Sequence, residues 1–172
     1  MRGMIVGRFQ PFHKGHLSAI KYILNEVDDV IIIIAASQQS HQPDNPFTAG
    51  ERYDMIHNSL VDELKDITRA IIIPANDVKD NGLWVAHIMR LVPKFDIVYT
   101  NNPLTRYLFE QVGKEVRTPP LFERKDYSAH HVRQLMYDEK DEWMKLVPKA
   151  VVKVIEEIDG LRRIKIINSS DK

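Results

Sequence analysis

The chain contains no cysteine. Disulfides, thiol chemistry and cysteine-ligated zinc sites are therefore excluded. It has no excess of charge either: 24 lysines and arginines balance 24 aspartates and glutamates. No global field draws it to nucleic acid or to an anionic membrane, so any anion binding has to be local. Long apolar runs are missing as well. The longest, Val30 to Ala36, is far too short to span a bilayer. The N-terminus enters a strand pattern almost at once, which predicts no signal peptide. With 172 residues, 44% of them hydrophobic, the expectation is a single cytoplasmic domain with a substantial core.

What is present alternates. Met4-Ile5-Val6, Val30–Ile34, Ala70–Ile73 and Phe95–Tyr99 read as strands, with Glu115-Val116 as a weaker fifth. Helical patterns fit between them, at roughly 16–27, 48–60, 82–92 and 103–112. The second has a clear start, because Thr48 and Glu51 stand in capping-box spacing. The alternation predicts an α/β fold with a doubly wound parallel sheet, whose ligands bind at the carboxyl ends of the strands. After Pro119-Pro120 the strand pattern stops. Helical stretches follow at about 129–137, 140–147 and 148–158, with Pro148 suited to a first turn and Trp143-Met144 read as core packing. The expected organisation is an α/β core over 1–120, a C-terminal helical subdomain over 121–167 closing over the sheet edge, and a polar tail over 168–172.

The most informative stretch is Gly7-Arg8-Phe9-Gln10-Pro11-Phe12-His13-Lys14-Gly15-His16, which joins the first strand to the first helix. Arg8, His13, Lys14 and His16 crowd around a helix N-terminus, where backbone N–H groups are free and the helix dipole is positive. That combination suits polyphosphate binding and the stabilisation of charge at a phosphorus under attack. Gly15 has no Cβ, which lets a nucleotide approach the backbone. A polar surface turn would use the same residue types. The two histidines could also ligate a metal, but no third ligand with suitable spacing is evident.

These residues resemble the (H/T)-x-G-H signature of the adenylyl- and cytidylyltransferase superfamily. The Gly-Arg-Phe-Gln-Pro form, with Pro46-Phe47-Thr48-Ala49-Gly50-Glu51-Arg52 downstream, resembles the archaeal-type nicotinamide-nucleotide adenylyltransferase family. So do Asn81–Val85, Val98–Leu104, and Tyr127-Ser128 with Arg133, in matching order from residue 1 to about 165. The resemblance implies a Rossmann-like nucleotidyltransferase fold and the reaction of ATP with nicotinamide mononucleotide (NMN) to give NAD and pyrophosphate. It implies His13, His16, Arg8 and Arg133 as catalytic groups. ATP would be bound by Gly7, Arg8, Phe9, His13, Gly15, His16, Ser128 and Arg133. Trp84 would stack on the nicotinamide ring, with Asn81, Asp77 and Asn101 on the same substrate. Mg²⁺ would accompany ATP, with no protein metal cage, and the partners would be small molecules, neither nucleic acid nor membrane. Members of the family form symmetric homo-oligomers, hexamers among them.

Other readings of single residues stand beside these. Trp84 also fits a helix core, Asp77 the end of a loop, Lys14 a solvated surface, and Arg52 a structural ion pair. A related acceptor such as phosphopantetheine, or a nucleotide-sensing module without turnover, would use the same ATP half. One departure bears on that choice. Where the family commonly reads Ser-Gly-Thr-Glu-x-Arg, this chain has Ser128-Ala129-His130-His131-Val132-Arg133. Ser128 still suits an N-cap and Arg133 keeps its spacing. The reciprocal Glu is replaced by His131, so a histidine is expected to stand in as a phosphate donor.

Overall fold

The structure, a computed structural model, describes residues 1–120 and 127–169. The start of the expected C-terminal segment, 121–126, and the end of the expected tail, 170–172, lie outside the described residues.

Five strands form: β1 (Arg2–Gly7), β2 (Asp29–Ile34), β3 (Ala70–Pro74), β4 (Ile97–Tyr99) and β5 (Glu115–Arg117). They make one all-parallel sheet in the order β3-β2-β1-β4-β5, with Met4 facing both Ile31 and Val98. The order reverses between β1 and β4, so a crevice opens there at the carboxyl ends of the strands. Phe95 and Asp96 precede β4 rather than belonging to it; Asp96 Oδ2 accepts the first amide of β1, from Arg2, at 2.8 Å.

The isoleucine run of β2 explains why both faces are covered. Successive side chains of a strand point to opposite faces. Ile32 and Ile34 join the core cluster beneath α1 (Lys14–Glu26) and α2 (Ala49–Glu63). Ile31 and Ile33 join the second cluster, beneath α3 (Asn81–Leu91) and α4 (Pro103–Gln111). Helix starts follow their caps. Thr48 Oγ1 accepts from Glu51 N, and Glu51 Oε2 accepts from Thr48 N, which completes the predicted capping box of α2. Asn102 caps α4 through Thr105 N, and Pro103 fills its first turn.

Among the described residues after 120, four helices follow: α5 (Ala129–Tyr137), α6 (Trp143–Leu146), α7 (Lys149–Glu157) and α8 (Gly160–Ser169). Among the described residues α7 packs on α2, and Val132, Met136, Trp143, Val151 and Ile164 enter the same core cluster as Phe9, Phe12 and Phe47. The helix expected over 140–147 is a single turn, because Glu139 turns the chain with a φ of 56°. Trp143 is buried, whereas Met144, also expected in the core, is exposed. Helix α8 runs two residues into the stretch read as a polar tail, and the pattern of its sequence does not announce it: only Gly160 and Ile164 are buried. What fixes it is Arg163, whose guanidinium forks onto both Glu51 oxygens at 2.6 and 2.8 Å and also donates to Pro46 O. Burial alone would raise the Glu51 carboxyl; the Arg163 fork and the Thr48 amide outweigh it and hold it below its usual range. No helix among the described residues is long and apolar enough to cross a membrane.

Arg163→Ala leaves the part-buried Glu51 carboxylate without its fork. We expect a stability loss of about 2 kcal/mol at pH 7. Because the folded Glu51 is held ionised, that loss shrinks as pH falls and the carboxyl protonates. Urea unfolding at pH 7 and pH 4 checks both the size and the trend.

Candidate active site

The loop after β1 folds onto the start of α1 as the signature suggests, but the two histidines do more than line a cleft. His13 is the N-cap of α1 and His16 its third residue. His13 Nδ1 accepts the His16 amide at 3.3 Å, and His16 Nδ1 accepts the His13 amide at 3.2 Å. The pair forms a capping box built from imidazoles, with the rings stacked at 3.5 Å between centroids. A neutral imidazole whose Nδ1 accepts a hydrogen bond carries its proton on Nε2. Each ring is therefore left with Nε2–H as its outward donor.

The surroundings keep the rings neutral. Burial lowers the His13 pKa from 6.5 to about 4. His16 retains some exposure, yet Phe9, Phe12 and His13 ring it at 4.9, 5.7 and 3.5 Å. Burial first, and His13 second, push it well below the ordinary value. Near neutral pH both are donors without charge. The charge comes from arginines. Arg8 is exposed, and its guanidinium takes no hydrogen bond among the described residues. Arg133 is half-buried on α5, donating to Gln10 O at 2.9 Å and to Asp44 Oδ1 at 3.2 Å.

Two cavities meet at His16. One of about 310 Å³ lies at the reversal between β1 and β4, lined by Val6, His13, Gly15, His16, Tyr99, Thr100, Asn101, Asn102, Pro119, Pro120 and Tyr127, with Ile5 and Ala19 behind. The other, about 410 Å³, is lined by Arg8, Phe9, Gln10, His16, Asp44, Ala129, His130 and Arg133. Ser128 is occupied as the N-cap of α5, its Oγ accepting from His131 N at 3.1 Å. Of the three replaced positions, Ala129 and His130 line the arginine cavity and His131 does not.

The glycines serve the protein's own packing. A Cβ on Gly15 would lie 2.9 Å from Tyr127 Cβ and 3.1 Å from the His13 ring, so glycine lets those two side chains close together at the wall of the smaller cavity. A Cβ on Gly7 would lie 2.8 Å from the Phe9 ring, which folds back over it. Trp84, Asn81 and Asp77 are not brought into either cavity. Trp84 is half-buried, edge-on to Phe109 at 5.7 Å; Asn81 opens α3, and Asp77 is exposed in the loop after β3. Asn101 lines the smaller cavity beside His13.

Two functional features were not read from the sequence. Gln10 is buried, and its amide exchanges two bonds with the Phe47 backbone, at 3.0 and 2.9 Å. Only its place inside the signature could have marked it. Arg52 is the other. It is no ion-pair partner: fully buried, it donates to the carbonyls of Arg8, Ala35, Ala36, Gln39 and Thr48 at 2.8–3.3 Å. Burial lowers its pKa from the ordinary arginine value to about 10, so it stays charged at neutral pH.

Residues 4–135 match the cytidylyltransferase-like family. Nicotinamide-nucleotide adenylyltransferase of Methanococcus aeolicus is 49% identical over 171 residues, covering 99% of this chain and 97% of the relative. The protein of the same name from Saccharolobus solfataricus is 46% identical over 171 residues and covers 99% of both chains. This chain belongs to the nicotinamide-nucleotide adenylyltransferase family. The fold agrees with solved structures. A bifunctional NMN adenylyltransferase/ADP ribose pyrophosphatase of Francisella tularensis, in complex with AMP and a manganese ion, superposes with a TM-score of 0.81 at 21% identity. That match covers 97% of this chain and 52% of the other, and it bears on the fold alone. Within the adenylyltransferase family, then, the imidazole capping box sits where the sheet order reverses.

Neutral burial of these rings carries a pH signature. The unfolded chain takes up protons at His13 near pH 6.5, and the folded one only near 4, so His13 stabilises the fold above that window and ceases to as pH falls through it. His13→Asn keeps a cap acceptor and removes the titration. Between pH 6.5 and 4 the unfolding free energy of the variant should fall less steeply, by about 1.4 kcal/mol per pH unit. Denaturant titrations across that range check the difference in slope.

Proposed function

We propose that the chain transfers AMP from ATP to nicotinamide mononucleotide, releasing pyrophosphate and forming NAD. The observation that carries this reading is the pair of neutral Nε2–H donors at the β1–β4 reversal, with His16 shared by two cavities. The smaller cavity combines flat and apolar walls, from Val6, Tyr99, Pro119 and Tyr127, with the amide of Asn101; it suits a nucleoside. The larger one offers Arg8, Arg133 and His130 and suits a triphosphate. In this reading the ATP phosphates run from one cavity to the other past His16.

An oxygen of the mononucleotide phosphate attacks the α-phosphorus in line, and the bond to the bridging oxygen of pyrophosphate breaks. No covalent enzyme intermediate is needed. Positioning and charge stabilisation supply the catalysis. His13 and His16 donate to oxygens of the α-phosphoryl group, and Arg8 and Arg133 hold the departing pyrophosphate. Gly7 and Phe9 act by shaping the loop, and Ser128 by capping α5. The mononucleotide approaches from the β3 side, where Trp84 offers an indole face to a cationic pyridine ring, and Asn81 and Asp77 offer polar groups. The resemblance implies Asn101 for that substrate; it lines the smaller cavity together with His13, which in this reading supports a contact to the ATP nucleoside.

No cluster of three or more histidine, aspartate or glutamate side chains able to hold a metal is found among the described residues. Mg²⁺ would enter with the triphosphate and would supply charge neutralisation there, leaving Arg8 and Arg133 to hold the phosphates. One nucleotidyltransferase domain, a cytoplasmic setting, and a symmetric homo-oligomer, hexameric by family resemblance, complete the proposal.

Pyrophosphate release from Mg·ATP is measured with nicotinamide mononucleotide, nicotinic acid mononucleotide and phosphopantetheine. We expect release with a pyridine mononucleotide only, reduced about 100- to 1000-fold in kcat by His16→Ala. Trp84→Ala should raise KM for the mononucleotide and leave KM for ATP little changed. Release with phosphopantetheine alone would support the sister acceptor. ATP binding without release would support a nucleotide sensor.

A further inference from the structure

We propose that Asp44 sets the affinity of this site for ATP by occupying Arg133 until the triphosphate displaces it. No other carboxylate lines the larger cavity; its remaining charged or titratable side chains are the arginines Arg8 and Arg133 and the histidines His16 and His130. A carboxylate in that company is out of character, and it is placed there by structure. The segment Gln42–Asn45 forms a tight turn, closed by Gln42 N to Asn45 O at 3.2 Å and Asn45 N to Gln42 O at 3.0 Å. The Asn45 amide is tied in turn to Gln39 Oε1 at 2.9 Å. The turn presents Asp44 at its tip, and Asp44 Oδ1 accepts from Arg133 at 3.2 Å.

The two ends of this pair are unequal. The Arg133 side chain is 13% exposed and held by Gln10 O, whereas the Asp44 side chain is 78% exposed. An incoming polyanion therefore finds the guanidinium fixed and the carboxylate free to turn away into water. Until it does, one anion site is filled and a negative charge faces the phosphate path. Such a contact lowers affinity for a polyphosphate and hastens release of pyrophosphate, without touching the acceptor. The inference rests on the adenylyl-transfer reading above.

The test compares wild type, Asp44→Asn and Asp44→Glu by KM for ATP, KM for nicotinamide mononucleotide, and direct binding of inorganic tripolyphosphate. We expect Asp44→Asn to tighten ATP and tripolyphosphate by about two- to fivefold at low ionic strength. The difference should shrink in roughly 0.5 M salt. KM for the mononucleotide should not move, and Asp44→Glu, which keeps the charge, should stay near wild type. Weaker binding by Asp44→Asn would mean that the carboxylate meets the cation carried by the triphosphate, and would overturn the inference. Unchanged binding, or Glu behaving like Asn, would overturn it too. A wild type that neither binds ATP nor releases pyrophosphate would overturn the adenylyl-transfer reading and this inference with it; a competent wild type with an indifferent Asn variant overturns the inference alone.

Discussion

The buried guanidinium of Arg52 is the contact on which the site depends. It lies on α2, yet its acceptors belong to the loop after β1 (Arg8), the loop after β2 (Ala35, Ala36 and Gln39) and the cap of α2 itself (Thr48). Those loops carry three non-glycine residues in left-handed backbone, Phe9 with φ 53°, Ala36 with φ 49° and His41 with φ 55°. Each such residue costs about 1–2 kcal/mol. Conformations of that kind persist where their surroundings over-determine them, and a planar fork with five donors does so at once for both loops. A buried charge normally demands a carboxylate. Here carbonyl dipoles take that part, which leaves the cation nothing to exchange with an incoming phosphate.

Once the loops are fixed, the charge pattern of the cleft follows. The imidazoles satisfy the first turn of α1 through Nδ1 and are kept neutral by burial, so their remaining protons are aimed without a desolvated charge to stabilise beforehand. Full positive charge stands further out, on Arg8 and Arg133. A triphosphate entering this arrangement meets arginines at its far end and neutral donors near the α-phosphorus. Gln10 links the two regions: its side chain holds Phe47, and its carbonyl orients Arg133.

Much of this was legible in the sequence because it is local. The run Val30–Ile34 could only be a strand covered on both faces, and the Thr48–Glu51 spacing marked the start of α2 to the residue. The signature predicted a strand–loop–helix with both histidines at the helix start, and that is where they lie. What the sequence did not reveal is non-local. Arg52 next to Glu51 looked like one member of an ion pair, but Glu51 is taken by Arg163, more than a hundred residues away. Helix α8 depends on that same distant contact. Gly15 suggested room for a ligand, and only the fold shows that Tyr127 and His13 also close on it, at the wall of the smaller cavity. Trp84 had two readings, core or stacking platform; its packing on Phe109 leaves it half-buried, with part of its surface still open.

In the free protein His13 and His16 stand as neutral imidazoles protonated on Nε2. Long-range ¹⁵N–¹H correlation spectra of the imidazoles at pH 7, before and after addition of ATP, test it most directly. The account predicts Nε2–H tautomers for both rings without ligand, and perturbation of both Nε2–H signals when ATP binds. Nδ1–H tautomers, or rings that titrate near the ordinary histidine value of about 6.5 in the free protein, would contradict it.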